Sequence, residues 1–333
     1  PPMVDWPEDI ATAIGRQHYL LKGGYLYDGW PVADMDDAEV DAMIADLVVS
    51  GVKNIAIASA FSPMNADPEK YVAKKILRAI PDAKVTLSHN FGRLGLMERE
   101  NAAILNTTLL PFAEKVISSF LKALTNRGLT CPVYISQNDG TLMSADFVSA
   151  YPALTFASGP TNSLRGAYKL TGLKDAIVVD IGGTTSDIGV LQGGFPRESN
   201  TVIEIGGVRT NFRMPDILAI GLGGGSVVSD DGRVIGPKSV GHRLVDEGLV
   251  FGGNTLTTTD IIVASGVADI GDSSKVAHLE QSVVENTLAR MHQMLDQNIE
   301  MMKPGGKAMP VILVGGGSVL VTGDLQAASK IYR

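Results

Sequence analysis

Two carboxylates and three hydroxyls crowd one short glycine turn. Asp180, Gly182, Gly183, Thr184, Thr185, Ser186 and Asp187 all fall within "VVDIGGTTSDIGV", residues 178–190. Apolar runs flank the turn on both sides, so the chain leaves one buried strand and enters another at once. A hairpin needs glycine, but it does not need so much oxygen. Gly182 and Gly183 allow backbone N–H groups to face an anion with no Cβ in the way. A positive-φ turn is expected there, which a β-branched residue at 183 would not adopt. The hydroxyls of Thr184, Thr185 and Ser186 add donors that suit phosphate oxygens. Asp180 or Asp187 is a candidate holder of Mg²⁺ through water, because this hard cation prefers oxygen and keeps much of its hydration. The competing reading is a plain hairpin whose Asp and Thr side chains satisfy local backbone groups.

Two further glycine turns follow apolar runs. Gly223, Gly224, Gly225 and Ser226 lie in "GLGGGSVV", and Gly315, Gly316, Gly317 and Ser318 lie in "VGGGSVLV". Neither turn matches the G-x-G-x-x-G dinucleotide pattern. A P-loop, G-x-x-x-x-G-K followed by Ser or Thr, is absent from the chain. Three such turns in one region converge on a ligand that backbone must approach closely, a phosphate or nucleotide. Asn138 and Asp139 in "QNDG" follow a strand, where α/β sheets present ligand-binding groups; an Asx turn before Gly140 explains them almost as well. Glu98 and Glu100 early in a helix read as dipole partners. The five histidines are scattered without zinc-ligand spacing. His242 with Asp260 is a conceivable metal pair, but a surface histidine is the simpler reading. Met291, Met294, Met301 and Met302 read as core or helix-rim packing.

These residues need elements to hold them. "DDAEVDAMIADLVVSG" places Val40, Met43, Ile44 and Leu47 on one helical face, with Asp36 as N-cap and Gly51 as stop. Asp67-Pro68 opens a second helix. A long third helix carries Pro111 as a kink or fresh start and ends at Gly128. The strands "KNIAIASAF", "KVTLS" and "PVYIS" alternate with these helices and predict a helix-covered sheet. From "AIVVDI" onward, glycine-rich strands follow one another through tight turns and predict antiparallel hairpins. A boundary near residues 160–175 therefore divides the chain into 1–165 and 166–333. The net charge of −8 and the lack of Lys/Arg clusters argue against nucleic acid or an anionic membrane surface as partner. No apolar run approaches a membrane span, and the first residues show no signal-peptide pattern. Cys131, the only cysteine, reads as a small buried apolar residue. A cytoplasmic protein is the resulting expectation.

"DIGGTTSDIGVL" resembles the second phosphate loop of the actin-like ATPases, and more closely that of the hydantoinase/oxoprolinase family. "FGRLGLMERENAAILNTTLLPF", "PVYISQNDGTLMSADFV", "FASGPTNSLRGA", "GLGGGSVV", "GPKSVG", "TLTTTDIIVASG" and "VILVGGGS" resemble further family segments in the family's order. The resemblance implies an α/β, two-lobed actin-like (ribonuclease H-like) ATPase fold. It also implies ATP and Mg²⁺ as cofactors. The implied activity is ATP-dependent opening of a cyclic amide of the 5-oxoproline or hydantoin type through a phosphorylated intermediate. In relatives it is ATP-driven carboxylation of ketones, with a second, hydantoinase B-like subunit as partner. On this basis Asp180 contacts the metal's water, Gly182 to Thr185 take phosphate, and Gly315 to Ser318 lie against the nucleoside. Gly223 to Ser226 line the cleft, Asp187 holds the loop or orients water, and Asn138 and Asp139 are substrate candidates. The family's first D-x-G-G-T loop has no counterpart here, and "GHRLVDEGLVFGGN" replaces its "PGPACYGRGG". The chain therefore reads as an internal fragment, incomplete at both ends and expected to hydrolyse ATP negligibly alone. A small-molecule kinase or a non-enzymatic nucleotide-gated module on the same fold remain alternatives.

Overall fold

The computed structural model describes residues 2–91 and 94–333. Gly92 and Arg93, inside one of the segments that carry the resemblance, lie outside the described residues, as does Pro1. The chain divides into two compact units, Pro1–Phe156 with Ser199–Met214, and Ala157–Glu198 with Pro215–Arg333.

The first unit opens with α1 (Glu8–Ile14) and α2 (Asp37–Ser50). The Asp36 carboxylate accepts from the N–H groups of Ala38 and Glu39, and Gly51 closes α2 in the left-handed conformation. Val40, Met43, Ile44 and Leu47 are the buried face of α2, as their spacing predicts. They pack with Val72 and Ile76 of α3 (Asp67–Ala79). Strands β1 (Asn54–Ile57) and β2 (Lys84–Leu87) lie parallel, in register from Asn54↔Lys84 to Ile57↔Leu87. Helix α4 (Leu96–Asn126) runs unbroken through Pro111, and Gly128 follows its end at φ 74°.

The predicted sheet stops at two strands. "PVYIS" does not join it: β3 (Tyr134–Ser136) pairs antiparallel with β4 (Leu142–Ser144), just before α5 (Ala145–Ala150). The "QNDG" turn reverses the chain, so β3 finds its partner locally. Cys131 is exposed, against expectation. It precedes a strand whose first residue, Tyr134, is itself exposed, so no core reaches it.

The second unit begins with α6 (Ser158–Thr171), β5 (Ala176–Ile181), β6 (Ser186–Gln192) and the short β7 (Phe195–Pro196). Helix α6 thus lies wholly within this unit. The hairpin β8 (Ile203–Ile205) and β9 (Val208–Thr210) belongs to the first unit. Then come β10 (Ile217–Ile220), β11 (Ser226–Val228), β12 (Ile235–Ser239), α7 (Leu244–Glu247) and α8 (Thr258–Ala264). Helix α9 (Gln281–Met302) precedes β13 (Met309–Val314) and β14 (Ala328–Tyr332).

A mixed sheet runs in the order β10-β6-β5-β13-β14, with β7 on β6. Strand β5 is antiparallel to β6 and parallel to β13. Its residues alternate with period two. Ile177, Val179 and Ile181 pack with Met291, Leu295 and Ile299 of α9. Ala176 and Val178 pack with Leu164 and Ala167 of α6. Helices on both faces explain why β5 reads as an unbroken apolar run. They also leave its polar end, Asp180, at the sheet edge where the turns gather.

Candidate functional site

Residues 176–192 form the antiparallel hairpin that the apolar runs predict. Asp180 and Asp187 are cross-strand partners at its mouth. Gly182 N–H donates to the Thr185 carbonyl (2.9 Å), closing the turn, and Gly183, Thr184 and Thr185 are exposed. Two expectations need correction. Neither Gly182 nor Gly183 has a positive φ. What Gly183 supplies is open space, since a Cβ there would meet nothing within 4 Å. Nor is Ser186 a donor toward a ligand: it is buried, and its hydroxyl donates to the Leu222 carbonyl at 2.6 Å.

The turn at 223–226 braces this loop. Gly224 N–H donates to the Gly182 carbonyl (3.0 Å) and Gly225 N–H to the Gly183 carbonyl (2.6 Å). Gly223 lies so close that a Cβ would stand 2.6 Å from Thr184 N. The Ser226 hydroxyl accepts from Gly223 N–H at 2.9 Å. From α8, Thr258 Oγ1 donates to the carbonyls of Gly223 and Gly224, and Thr259 Oγ1 to Gly224. Sequence reasoning sets Gly223 to Ser226 along the ligand cleft, whereas here their N–H groups are engaged within the chain.

That bracing has a directional consequence. In a trans peptide, C=O and N–H point opposite ways. With the carbonyls of Gly182 and Gly183 held toward the brace, the N–H groups of Gly183 and Thr184 point away from it. Neither makes a hydrogen bond among the described residues. Two adjacent N–H donors beside an open glycine are thus left available to an anion.

The third turn closes over the end of β5. Gly315 has φ 82°, and a Cβ there would collide with Asp180 Oδ1 and the Ile181 carbonyl. At Gly317 a Cβ would stand 2.5 Å from Ile181 Cγ2. Gly316 is exposed with open space beside it, and Ser318 N–H donates to the Gly315 carbonyl. Asp180 Oδ2 accepts from the Ser163 hydroxyl of α6 at 2.5 Å. Burial, and secondarily the Asp180 charge, push the Asp187 carboxyl above its ordinary range. A cation placed between these carboxylates would relieve their repulsion. Among the described residues no group of three His, Cys, Asp or Glu forms a metal cage.

Asn138 and Asp139 belong to the other unit and build their own turn. Asp139 accepts from Thr141 N–H and Oγ1, an Asx turn, and buried Asn138 donates to the Ala153 carbonyl. Asp260 sits in a capping box, accepting from Thr257 N–H and Oγ1 and from Val250 N–H, while His242 is exposed. Ser163, Thr258 and Thr259 escape sequence reasoning as supports of the site. The only local hint is the run of three threonines before Asp260 at the start of α8.

The β5–β6 hairpin and its glycine turns, on a helix-covered mixed sheet, define a class: an α/β unit consistent with the actin-like ATPase superfamily. Family comparison then makes it specific. The Hydantoinase/oxoprolinase family model matches residues 99–302 and that family's N-terminal region matches 6–80, so the chain belongs to the hydantoinase/oxoprolinase family. Caprolactamase subunit alpha from Pseudomonas jessenii is 26% identical over 256 residues, covering 74% of this chain and 36% of that protein. Acetophenone carboxylase gamma subunit from Aromatoleum aromaticum (strain DSM 19018 / LMG 30748 / EbN1) is 28% identical over 253 residues, covering 72% and 34%. The chain thus spans about a third of the length of these relatives. The crystal structure of the ATP-dependent caprolactamase from Pseudomonas jessenii has TM-score 0.69 at 20% identity, covering 89% of this chain and 47% of that one. Nucleotide-free acetone carboxylase has TM-score 0.60 at 20% identity, covering 90% and 47%. At that identity the likeness is one of fold. No helix among the described residues is long and apolar enough to cross a membrane.

Proposed function

We propose that the chain is the nucleotide-using part of an ATP-dependent enzyme that activates a carbonyl oxygen, in a cyclic amide of the 5-oxoproline or hydantoin type. The observation that carries this reading is the brace, in which Gly224 and Gly225 hold the carbonyls of Gly182 and Gly183 and so aim two N–H groups outward. Gly183 and Thr184 N–H groups, with the Thr184 and Thr185 hydroxyls, would hold phosphoryl oxygens. Asp180 and Asp187 would hold Mg²⁺ through its water, and Gly316 with Ser318 would lie against the nucleoside. When bound, ATP with Mg²⁺ supplies the phosphoryl group that turns a poor carbonyl electrophile into a reactive one. The chain's part is positioning. The brace fixes the donors before ligand arrives, and the Ser163 hydroxyl orients the Asp180 carboxylate.

A second reading, an ATP-dependent ketone carboxylase subunit, draws support from the acetophenone carboxylase gamma subunit and the acetone carboxylase fold. Relatives named as subunits also support a second, hydantoinase B-like subunit as partner. The test uses the full-length protein with its partner, offered 5-oxoproline, hydantoin, caprolactam, acetone or acetophenone with bicarbonate. Phosphate release with ring opening supports the first reading, with carboxylation the second, and a stable phosphoester would indicate a kinase instead. Asp180→Asn should cut turnover on the order of 10²- to 10³-fold with nucleotide binding largely kept. Wild-type turnover in a folded Asn variant would reduce the loop to a plain hairpin.

A further inference from the structure

In the first unit, the carboxyl ends of β1 and β2 carry a polar cluster that the nucleotide loops do not use. Glu69, in the first turn of α3, is fully buried and accepts four hydrogen bonds. Oε1 accepts from Ser59 N–H (3.0 Å) and Ser88 Oγ (2.5 Å). Oε2 accepts from His89 N–H (3.1 Å) and from the His89 imidazole Nδ1 (2.7 Å). Arg99, also buried, donates from Nε to Ser88 Oγ (3.0 Å) and from its fork to the Ser59 and Leu94 carbonyls. With the Ser88 hydrogen engaged on Glu69, the 3.2 Å contact makes Ser62 Oγ the donor to Ser88 Oγ. Each of Ser59, Ser62, Ser88 and His89 follows the carboxyl end of a parallel strand, the edge where α/β sheets bind ligands.

Three observations go beyond simple stapling of two loops. Glu69 fixes the Nδ1–H tautomer, so the lone pair of a neutral ring lies on Nε2. That nitrogen has no hydrogen-bond partner among the described residues, and the imidazole is partly open, 17% exposed. The Ser59 hydroxyl oxygen is buried without a hydrogen-bond partner among the described residues. Phe61, between Ser59 and Ser62, holds φ 51°, a strained conformation for a bulky residue and one that gathers at binding sites.

We propose that His89 is a proton-accepting catalytic residue for the carbonyl compound, with Glu69 as its positioning residue. This rests on the carbonyl-activation reading above. Nε2 takes the N–H proton of a cyclic amide, or the α-C–H proton of a ketone. The electron pair left behind moves onto the carbonyl oxygen, which becomes the stronger nucleophile. The imidazolium so formed keeps its Nδ1–H donated to the Glu69 carboxylate. One base serves both substrate classes, because each loses a proton beside its carbonyl.

The test uses the full-length enzyme and whichever compound of the panel stimulates its ATP turnover. His89→Ala should lower kcat about 10²- to 10⁴-fold, the usual contribution of a general base. The KM for ATP should be unchanged, and added imidazole should restore part of the rate. Glu69→Gln should lower kcat without imidazole rescue. Without nucleotide, the same compound should slow carbethoxylation of His89 by diethyl pyrocarbonate, read by mass spectrometry. His89→Gln, expected to be equally slow, replaces the Ala variant if that one does not fold. Unchanged kcat in a folded His89 variant, loss that imidazole leaves untouched, or absence of protection would each overturn the proposal. If no panel compound stimulates the wild-type enzyme, the carbonyl-activation reading itself fails and takes this proposal with it, a result visible before any variant is made.

Discussion

Gly223→Ala probes the brace with one methyl group. The added Cβ would stand 2.6 Å from Thr184 N, 2.7 Å from Thr184 C and 2.8 Å from the Gly182 carbonyl oxygen. Unstrained carbon contacts fall near 3.5–4.0 Å. All three neighbours are backbone, so no rotamer change relieves the clash and one turn must move off the other. Overpacking of this kind costs about 1–3 kcal/mol. Displacement also weakens the Gly224–Gly182 and Gly225–Gly183 hydrogen bonds, each contributing about 1 kcal/mol. A combined loss of about 3 kcal/mol corresponds to a fall in Tm of roughly 6–12 °C for a domain of this size. Gly183→Ala is the control, because its Cβ meets nothing within 4 Å and its φ is not positive. It should change stability by less than about 0.5 kcal/mol. Its methyl nevertheless enters the space assigned to phosphate, so nucleotide affinity should fall. Thermal unfolding and titration with a fluorescent ATP analogue read both effects. A Gly223→Ala protein with wild-type Tm and affinity would refute the brace. Unchanged affinity in Gly183→Ala would refute the open face as the phosphate position.

Three further outcomes follow from particular side chains. The folded-state carboxyl of Asp187 titrates above the ordinary 3.8, through burial first and Asp180 second. Its ionised form therefore costs stability, a penalty absent below pH 3.8 and complete above the raised value. Asp187→Asn should raise Tm at pH 7 and leave it unchanged at pH 3, with Mg²⁺ narrowing the gap at pH 7; equal Tm values at pH 7 would contradict the shift. Asp260→Ala strips the acceptor from the N–H groups of Val250 and Thr257. It should cost about 3 kcal/mol in urea unfolding, and a change under 1 kcal/mol would show that the capping box bears little of the α8 packing. Cys131 is exposed, so the folded protein should react with one equivalent of a thiol reagent without prior denaturation.

The local alphabet determined much of this protein. Unbroken apolar runs and paired glycines specified the hairpin of residues 176–192, and Asp36, the apolar stripe and Gly51 specified α2, because propensity, capping and periodicity act within a few residues. The ordered series of motifs likewise carried the family, and placed Asp180 and Asp187 at one turn. Only the tertiary structure divided the labour among three similar glycine turns. The bonds from Gly224 and Gly225 to Gly182 and Gly183 join backbone to backbone across distant stretches. Backbone groups are the same in every residue, so such pairing leaves no signature in side-chain type. The Ser163–Asp180 contact and the Glu69–His89 pair are hidden for a related reason. Each joins a helix to the end of a strand, and which residues meet there is set by how the elements pack. That packing is driven by non-directional apolar burial elsewhere in each unit, which names no polar partner in advance.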